Sequence, residues 1–509
     1  MHHMELHRKP SLRRMLCLLA ALVLLAGTVL VSCQPADDPQ ESSAAAGNSA
    51  EESRNTDLVP SLGKADYSNK VLRVLTAGKD YPFGYQAFGA EQNDEAEPVN
   101  EATLSRNALL EQEYGFTIQA EFNDEWGPFI DRVTNDYMAG TATYDVVCTG
   151  LQTMASLAAE GYFKDLYKLG DASHLDLNAE WWDVAANEDM SIGNRLYFTT
   201  GDIMQMDDEY TRCVFYNKGM ARDHQLEDLP TLVYDGKWTL DVMYEMMKQV
   251  ASENDDGVMN VTGNDVWGCV SNAFELWSLV LGCDCPQVEK DQNDYPVMAM
   301  MNEKNVNAWL KAFEMFTDKE RYAYSEMFYP WGHADYHVVR DQFTDGKALF
   351  TVGIVTYVNS SEFREANISY GILPMPKYDN HQDTYATTVD PYHFYVLSIL
   401  QTCEDVDFVT FALEAMAYLS SELVTKEYYE RTLKNKRLPD DDDSPRMLDI
   451  IFSNRLVDIS VAFNWDDCIQ YYNQTIWAGQ PELASTLESK LPKFNQEMQK
   501  TIDYFMAMD

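Results

Sequence analysis

Apolar and polar positions along this chain alternate with two periods, and the switches between them mark out its elements. "NKVLRVLTAG" (69–78) is a short apolar run that stops at a glycine, which predicts a strand. Asn100 then stands where an N-cap would open a helix through "EATLSRNALLEQEY", with Gly115 as its stop. Phe116, Ile118, Ala120 and Phe122 alternate with polar residues, the period of a second strand. Beyond Pro128, the residues Phe129, Val133 and Tyr137 return at helical spacing until Gly140, and "YDVVCTG" (144–150) reads as a buried strand. Strand, helix, strand, helix, strand predicts a parallel α/β sheet with right-handed crossovers. Ligands of such sheets sit beyond the carboxyl ends of the strands. The loops 77–85 and 149–153 are therefore candidate pocket walls, with Tyr81 and Gly150 as their nominated residues.

Later segments carry the same logic. Thr239 is a candidate N-cap for a helix whose buried stripe is Leu240, Met243, Met247 and Val250. In "YGILPMPK" (370–377), Pro374 and Pro376 follow an apolar strand one residue apart. Two prolines so close hold an extended backbone and remove two ladder donors, which suits a crossing segment better than a sheet interior.

The first residues change the compartment. Arg8, Lys9, Arg13 and Arg14 precede the apolar run "MLCLLAALVLLAGTVLV" (15–31), the layout of an export signal. Leu30-Val31-Ser32-Cys33 resembles the bacterial lipobox, which implies cleavage after Ser32 and lipidation of Cys33. Residues 34–66 then hold no aromatic residue and are rich in Ser, Ala, Asp and Glu, so they cannot bury enough surface to fold. As a flexible coil this stretch would reach ~30 Å, a tether between membrane and folded body.

The whole chain has 38 basic and 82 acidic residues, a formal −44. Loss of 1–32 removes four basic residues and one acidic residue, leaving 34 against 81, or −47. That charge repels DNA, RNA and anionic headgroups, so nucleic acid is excluded as a partner and the membrane is met through the lipid alone. Of nine cysteines, seven remain once Cys17 is cleaved and Cys33 lipidated, and they sit mostly in apolar stretches. Cys283 and Cys285 have no second pair to complete a zinc site, so the seven read as small buried hydrophobes.

Catalytic constellations are scarce. Asp207-Asp208-Glu209 offers carboxylates for a glycosidase, but adjacency does not supply the separation of about 5–9 Å across a sugar that the chemistry needs. His333 and His337 lack the glutamate of a zinc-protease helix, and the acidic run 440–443 lacks the spacing of a calcium loop. Neither a nucleophile elbow nor a phosphate loop is found, and no metal or cofactor is expected. The chain is read as a non-enzyme.

Five stretches in order resemble the type-II extracellular solute-binding proteins. They are "YDVVCTGLQTMASLAAEGYFKDL" (144–166), "GNRLYFTTGDIMQMDDEYTRCVFYNKGM" (193–220), the Thr239 helix, "DQFTDGKALFTVGIVTY" (341–357) and "YGILPMPK". The resemblance implies an α/β, two-lobed periplasmic-binding-protein-like fold, its lobes joined by hinge strands around a ligand cleft, with a helical C-terminal part. The expected division is a signal peptide at 1–32, lipidated Cys33 and tether at 33–68, lobe one at 69–207 and 386–420, and lobe two at 208–385 and 421–509. It also implies delivery of a small-molecule solute, a sugar or oligosaccharide, to the permease subunits of an ABC importer, outside the cell on a lipid anchor. The rival readings are a cell-surface hydrolase and an adhesion or sensory protein that works without a transporter.

Sugar sites set aromatic faces against C–H faces of the ring, and carboxylates or amides against hydroxyls. With 62 Trp, Tyr and Phe in the chain, position has to decide. Asp202 lies in the polar "TTGD" turn of the first crossing, and the resemblance implies stacking aromatics at Phe274 and Tyr357. Trp331 follows Pro330 in an irregular loop, and Asp390 and Tyr392 follow the return crossing. Trp181 and Trp182 have two readings, cleft lining or lobe-one packing, while Trp277 reads as core.

Overall fold

The α/β order read from the sequence is present in the computed structural model, which describes residues 57–77, 87–89, 98–123, 126–204, 206–328, 336–433, 443–479 and 483–507. Strands β1 (Val71–Ala77), β2 (Thr117–Asn123), β3 (Val146–Gly150) and β12 (Tyr395–Ile399) form one sheet in the order β12-β3-β1-β2. Helices α1 (Pro98–Tyr114) and α2 (Trp126–Ala139) make the crossovers, so β1 pairs parallel to both β2 and β3. β12 closes the sheet antiparallel to β3, Tyr395 opposite Gly150. α1 begins at Pro98 rather than after Asn100. A proline suits the first turn because its missing N–H has no helical acceptor to satisfy. Gly115 ends the helix at a φ of 81°, where a Cβ would press on the backbone of Ser68.

The second sheet has the order β10-β4-β9-β5-β8. Its strands are β4 (Arg212–Asn217), β5 (Trp267–Ser271), β8 (Tyr322–Tyr324), β9 (Ala348–Ile354) and β10 (Tyr370–Leu373). β5 pairs parallel to β8 and β9, whereas β4 runs antiparallel to β9 and β10. Every residue of β4, β5, β9 and β10 is buried, as expected of strands covered on both faces. Helix α6 (Leu240–Val250) lies against β5, with Thr239 Oγ1 accepting from Val242 N at 3.3 Å as its cap. Its stripe of Leu240, Met243, Met247 and Val250 is fully buried.

The seven described cysteines are all free and buried, as small apolar fillers. Burial pushes the thiol of Cys148 up to about 12. Among the described residues no helix is long and apolar enough to cross a membrane. Cys33 lies outside those residues.

The helices after Leu419 pack against several parts of the fold. Sequence reading gives 421–509 to the second lobe, yet these helices touch both layers. Val424 and Tyr428 pack with Val99 of α1, while α12 (Asp443–Ser453) lies on β10. Phe505, near the end of α15 (Leu483–Ala507), meets Tyr197 with ring centroids 4.6 Å apart.

Candidate functional site

The two sheets are joined by segments that run side by side. Thr199 exchanges backbone hydrogen bonds of 2.9 and 2.8 Å with Leu397 beside the first sheet; the chain then passes through residues 200–211, including the short helix α5 (Met206–Glu209), into β4. The return runs from Pro374 to β12, with β11 (Thr387–Thr388) on the way. Thr211 bridges Val389, Asp390 N donates to Tyr210 O at 2.9 Å, and Thr387 Oγ1 donates to Arg212 O at 2.6 Å. A third segment joins them, as β13 (Arg455–Leu456) pairs parallel to β11. The prolines mark this path, and the Pro374 carbonyl accepts from Trp238 Nε1 at 2.9 Å.

Where the first two crossings meet the second sheet, a polar group is built around Arg212. Its Nη1 bonds Glu275 Oε1 at 2.5 Å and its Nη2 bonds Asp390 Oδ2 at 2.8 Å. Glu275 is the first residue of α7 (Glu275–Gly282), and its other oxygen accepts from Ser278 Oγ at 2.6 Å. Asp390 Oδ1 accepts from the backbone N–H groups of Tyr392 (3.0 Å) and His393 (3.1 Å) and faces His393 Nδ1 at 3.0 Å. The Tyr210 ring stacks on His393, with centroids 4.8 Å apart and planes at 18°.

The two carboxylates of one guanidinium shift in opposite directions. Burial raises Glu275, and Arg212 offsets this only in part. Burial acts on Asp390 as well, but the His393 hydrogen bond and the Arg212 charge outweigh it and hold the carboxyl below its ordinary value. The difference follows from the donors, since Asp390 gathers two backbone N–H groups that Glu275 lacks.

Three half-buried aromatics border this group. Phe274, just before Glu275, approaches Tyr392 edge to face at 6.4 Å. Tyr357 stacks at 6.3 Å on Phe215, carries the Arg340 guanidinium 5.1 Å from its ring centre, and feels the charges of Glu275, Arg212 and Asp390. A Cβ on Gly353 would lie 2.2 Å from the Tyr357 ring, so that strand position has room only for glycine. Burial pushes both the Tyr357 and the Tyr392 phenol up to about 12.

Gly150 holds the same corner from beneath. A Cβ there would stand 2.0 Å from the Tyr392 carbonyl oxygen, which permits only glycine. The next helix, α3 (Leu151–Ala159), gives its first N–H groups to Phe394 O at 2.9 Å and Pro391 O at 3.3 Å. Gly150 therefore seats the 391–394 turn.

Of the residues nominated from sequence, Gly150, Phe274, Tyr357, Asp390 and Tyr392 gather around Arg212. Asp202 stands apart from them, accepting from Thr425 Oγ1 at 3.0 Å in a second cluster around Arg455. Tyr81 and Trp331 lie outside the described residues, as does His333. His337 is exposed beside Glu362. Trp181 and Trp182 take the packing role: their indole N–H groups donate to Glu414 Oε1 and Oε2 at 3.0 and 2.9 Å. Trp277 is core, 1 % exposed. Asp207 and Asp208 turn toward Arg455, at 3.5 and 2.6 Å, rather than forming a carboxylate pair across a cleft.

Sequence reasoning missed Arg212, Glu275, Tyr210 and His393. The available signal was a charge at the mouth of an apolar strand, "TRCVFY", and another inside the apolar run "NAFELWSLVLG". Buried charges are found paired, so each of these two called for a partner. Two surface cavities, of about 500 and 310 Å³, lie elsewhere, one along the outer face of α8 (Glu303–Thr317) and one beside Tyr137 and Tyr504. Neither lining includes a residue of the Arg212 group, so cavity size and placed chemistry point to different places. The chemistry is the better guide here, because it converges on the segments that join the sheets.

The model of the bacterial extracellular solute-binding protein family matches residues 91–422, which contain both crossings and the Arg212 group, and the chain belongs to that family. The family is one of binding proteins. Among solved structures, the chain resembles the ABC substrate-binding protein Lmo0181 from Listeria monocytogenes in complex with cycloalternan, at 12% identity over 86% of this chain and 99% of that one, with a TM-score of 0.52. It also resembles UspC from M. tuberculosis, at 13% identity over 84% and 100%, with a TM-score of 0.56. A cyclo/maltodextrin-binding protein complexed with maltotetraose matches at 12% identity over 87% and 98%, with a TM-score of 0.53. Likeness at these identities establishes the two-lobed α/β fold. No curated protein sequence matches the chain.

Proposed function

We propose that the chain captures a carbohydrate between its two lobes by closing about the crossings, and passes it to the permease of an ABC importer while lipid on Cys33 holds it outside the cell. Lobe one is then 69–207 with 386–420 and lobe two is 208–385, with the helical end 421–509 bracing both. The observation that carries the reading is the meeting of Phe274 and Tyr392, one from each lobe, beside buried carboxylates at the crossings. Aromatic edges and faces suit the C–H surfaces of a sugar, and the carboxylates suit its hydroxyls. The ligands of two structural neighbours, cycloalternan and maltotetraose, support a carbohydrate.

No bond need be made or broken in this reading. Closure needs only differential affinity of the solute for the closed state. The test is a thermal-shift screen of the purified full chain in detergent against oligosaccharides, peptides and polyols. A solute at 100 times its Kd stabilises the folded state by about 2.7 kcal/mol. A shift with one sugar class and an intact sugar by mass spectrometry supports the reading. Breakdown products would move the assignment to a hydrolase, and a shift with peptides alone would overturn the carbohydrate.

A further inference from the structure

Three strands of the second sheet, β9, β5 and β8, lie side by side and run parallel, so their carboxyl ends open on one edge. That edge is where a sheet of this kind meets its ligand. Phe274 and Glu275 follow the end of β5, Tyr357 follows β9, and Arg212 opens the antiparallel β4 opposite Ile354. The Arg212 group therefore stands on the same edge. Not every polar side chain there is satisfied. Asn272, directly after β5, has an Oδ1 that is out of water and has no hydrogen-bond partner among the described residues. Glu326, two residues after β8, has an Oε1 in the same state, and Asn359, two residues past Tyr357, an Nδ2. Each of the three strand ends thus supplies one uncommitted polar atom. The ends of β5 and β8 are tied together, because Glu326 Oε2 accepts at 2.9 Å from the N–H of Ala273, the residue before Phe274.

An unpaired buried polar atom lowers the stability of a fold, and a carboxylate oxygen does so most. Three such atoms at the ends of three neighbouring strands do nothing for the empty protein. Asn272, Glu326 and Asn359 are each half-buried, at the margin of water rather than deep in the lobe. Burial raises the Glu326 carboxyl, backbone N–H groups of Ala273 and Glu326 offset this in part, and the charge of Glu275 adds to it. Glu326 is therefore within electrostatic reach of the Arg212 group. We propose that Asn272 and Glu326 are solute-contacting residues of the second lobe: their uncommitted oxygens accept from hydroxyl groups of the carbohydrate beside Phe274, and Asn359 donates to a hydroxyl oxygen. The proposal rests on the carbohydrate reading of this site and names the side chains that read the solute. A hydroxyl both donates and accepts, so it answers all three residues, whereas an ammonium group donates only and leaves Asn359 without a partner.

The test compares the full wild-type chain with Asn272→Ala, Glu326→Ala and Glu326→Gln. Titration calorimetry in detergent uses a panel of mono- and oligosaccharides that includes maltotetraose and cycloalternan, and urea unfolding of each solute-free protein runs beside it. A sugar bound by the wild type should bind at least tenfold more weakly to Asn272→Ala and to Glu326→Ala. It should bind within about threefold of wild type to Glu326→Gln, whose amide oxygen keeps the acceptor. The urea midpoint of Asn272→Ala should not fall below that of the wild type, since the lost oxygen has no partner in the empty protein. A lower midpoint would give Asn272 a structural role and count against the proposal. Undiminished binding in both alanine variants would overturn the proposal and leave the carbohydrate reading standing. A wild type that binds no member of the panel would overturn the carbohydrate reading, and the proposal with it. Equal loss in Glu326→Gln and Glu326→Ala would mean that a charge is being read, which overturns the hydroxyl. Should Glu326→Ala fail to fold, Asn272→Ala carries the comparison, and wild-type affinity there would overturn the proposal.

Discussion

Two arginines stand at the crossings of this protein, and their surroundings differ in one respect. Arg212 meets two carboxylates and bonds both, beside Phe274, Tyr357 and Tyr392. Arg455 meets three, from Asp183, Asp207 and Asp208, with the Phe452 ring centre 6.0 Å from its guanidinium carbon. The first arrangement fixes a geometry, because both of its carboxylates are bonded to the one guanidinium. The second spreads one guanidinium over carboxylates from two separate elements. The lesson is that the same residue types, on the same connecting segments, take different geometries according to how many elements one guanidinium has to hold.

The sharpest way to break the comparison is to remove the balanced cation. Arg212→Met leaves Glu275, fully buried, and Asp390 without their partner, and unpairing buried ions costs on the order of 3–5 kcal/mol. Urea unfolding at pH 7 should show that loss. A loss below about 1 kcal/mol, the range of exposed pairs, would mean the group is not the fixed element described here.

Asp202→Asn is expected to do the reverse. In the folded chain Asp202 keeps its proton to about pH 7, whereas the unfolded carboxyl releases it near 3.8. The folded state thus binds more protons between those values, and its stability falls as pH rises through that window. The variant should be more stable than the wild type by ~2–4 kcal/mol at pH 8, with the difference gone at pH 4. A pH-independent difference would mean that the raised Asp202 carboxyl is not what the substitution removes.

Gly150→Ala places a methyl group against the Tyr392 carbonyl, and overpacking of this kind costs about 1–3 kcal/mol. It should also move Tyr392 and weaken solute binding, as titration calorimetry would register. As a baseline, Lys304→Ala breaks an exposed ion pair with Asp284 and should cost only ~0–1 kcal/mol. A larger baseline loss would blur the contrast between buried and exposed charges.

Much of the scaffold was legible because its signals are local. The alternation from Phe116 to Phe122, the Thr239 cap and the paired prolines each declare themselves within a few residues, and each stands in the structure near its expected place. The Arg212 group was not legible in this way. Glu275 is 63 residues from Arg212 in the chain and Asp390 is 178, so an isolated charge in an apolar run signals a missing partner without naming it. Trp181 and Trp182 were undecided for the same reason, since Glu414, which accepts from both, lies 233 and 232 residues away. Gly150 was nominated as a pocket wall because it ends a strand, but what it does there depends on a carbonyl from a distant turn. Asp202, nominated from its polar turn, lies beside Thr425 and near Arg455, a placement that sequence neighbours could not have given.

The most direct test of the central claim is titration calorimetry of the wild type and Tyr392→Ala with linear and cyclic oligosaccharides, each sugar recovered and weighed by mass spectrometry. The account expects one intact sugar bound per wild-type chain, and an affinity at least tenfold weaker in Tyr392→Ala, about 1.4 kcal/mol. Equal binding by both proteins, or a cleaved sugar, would contradict it.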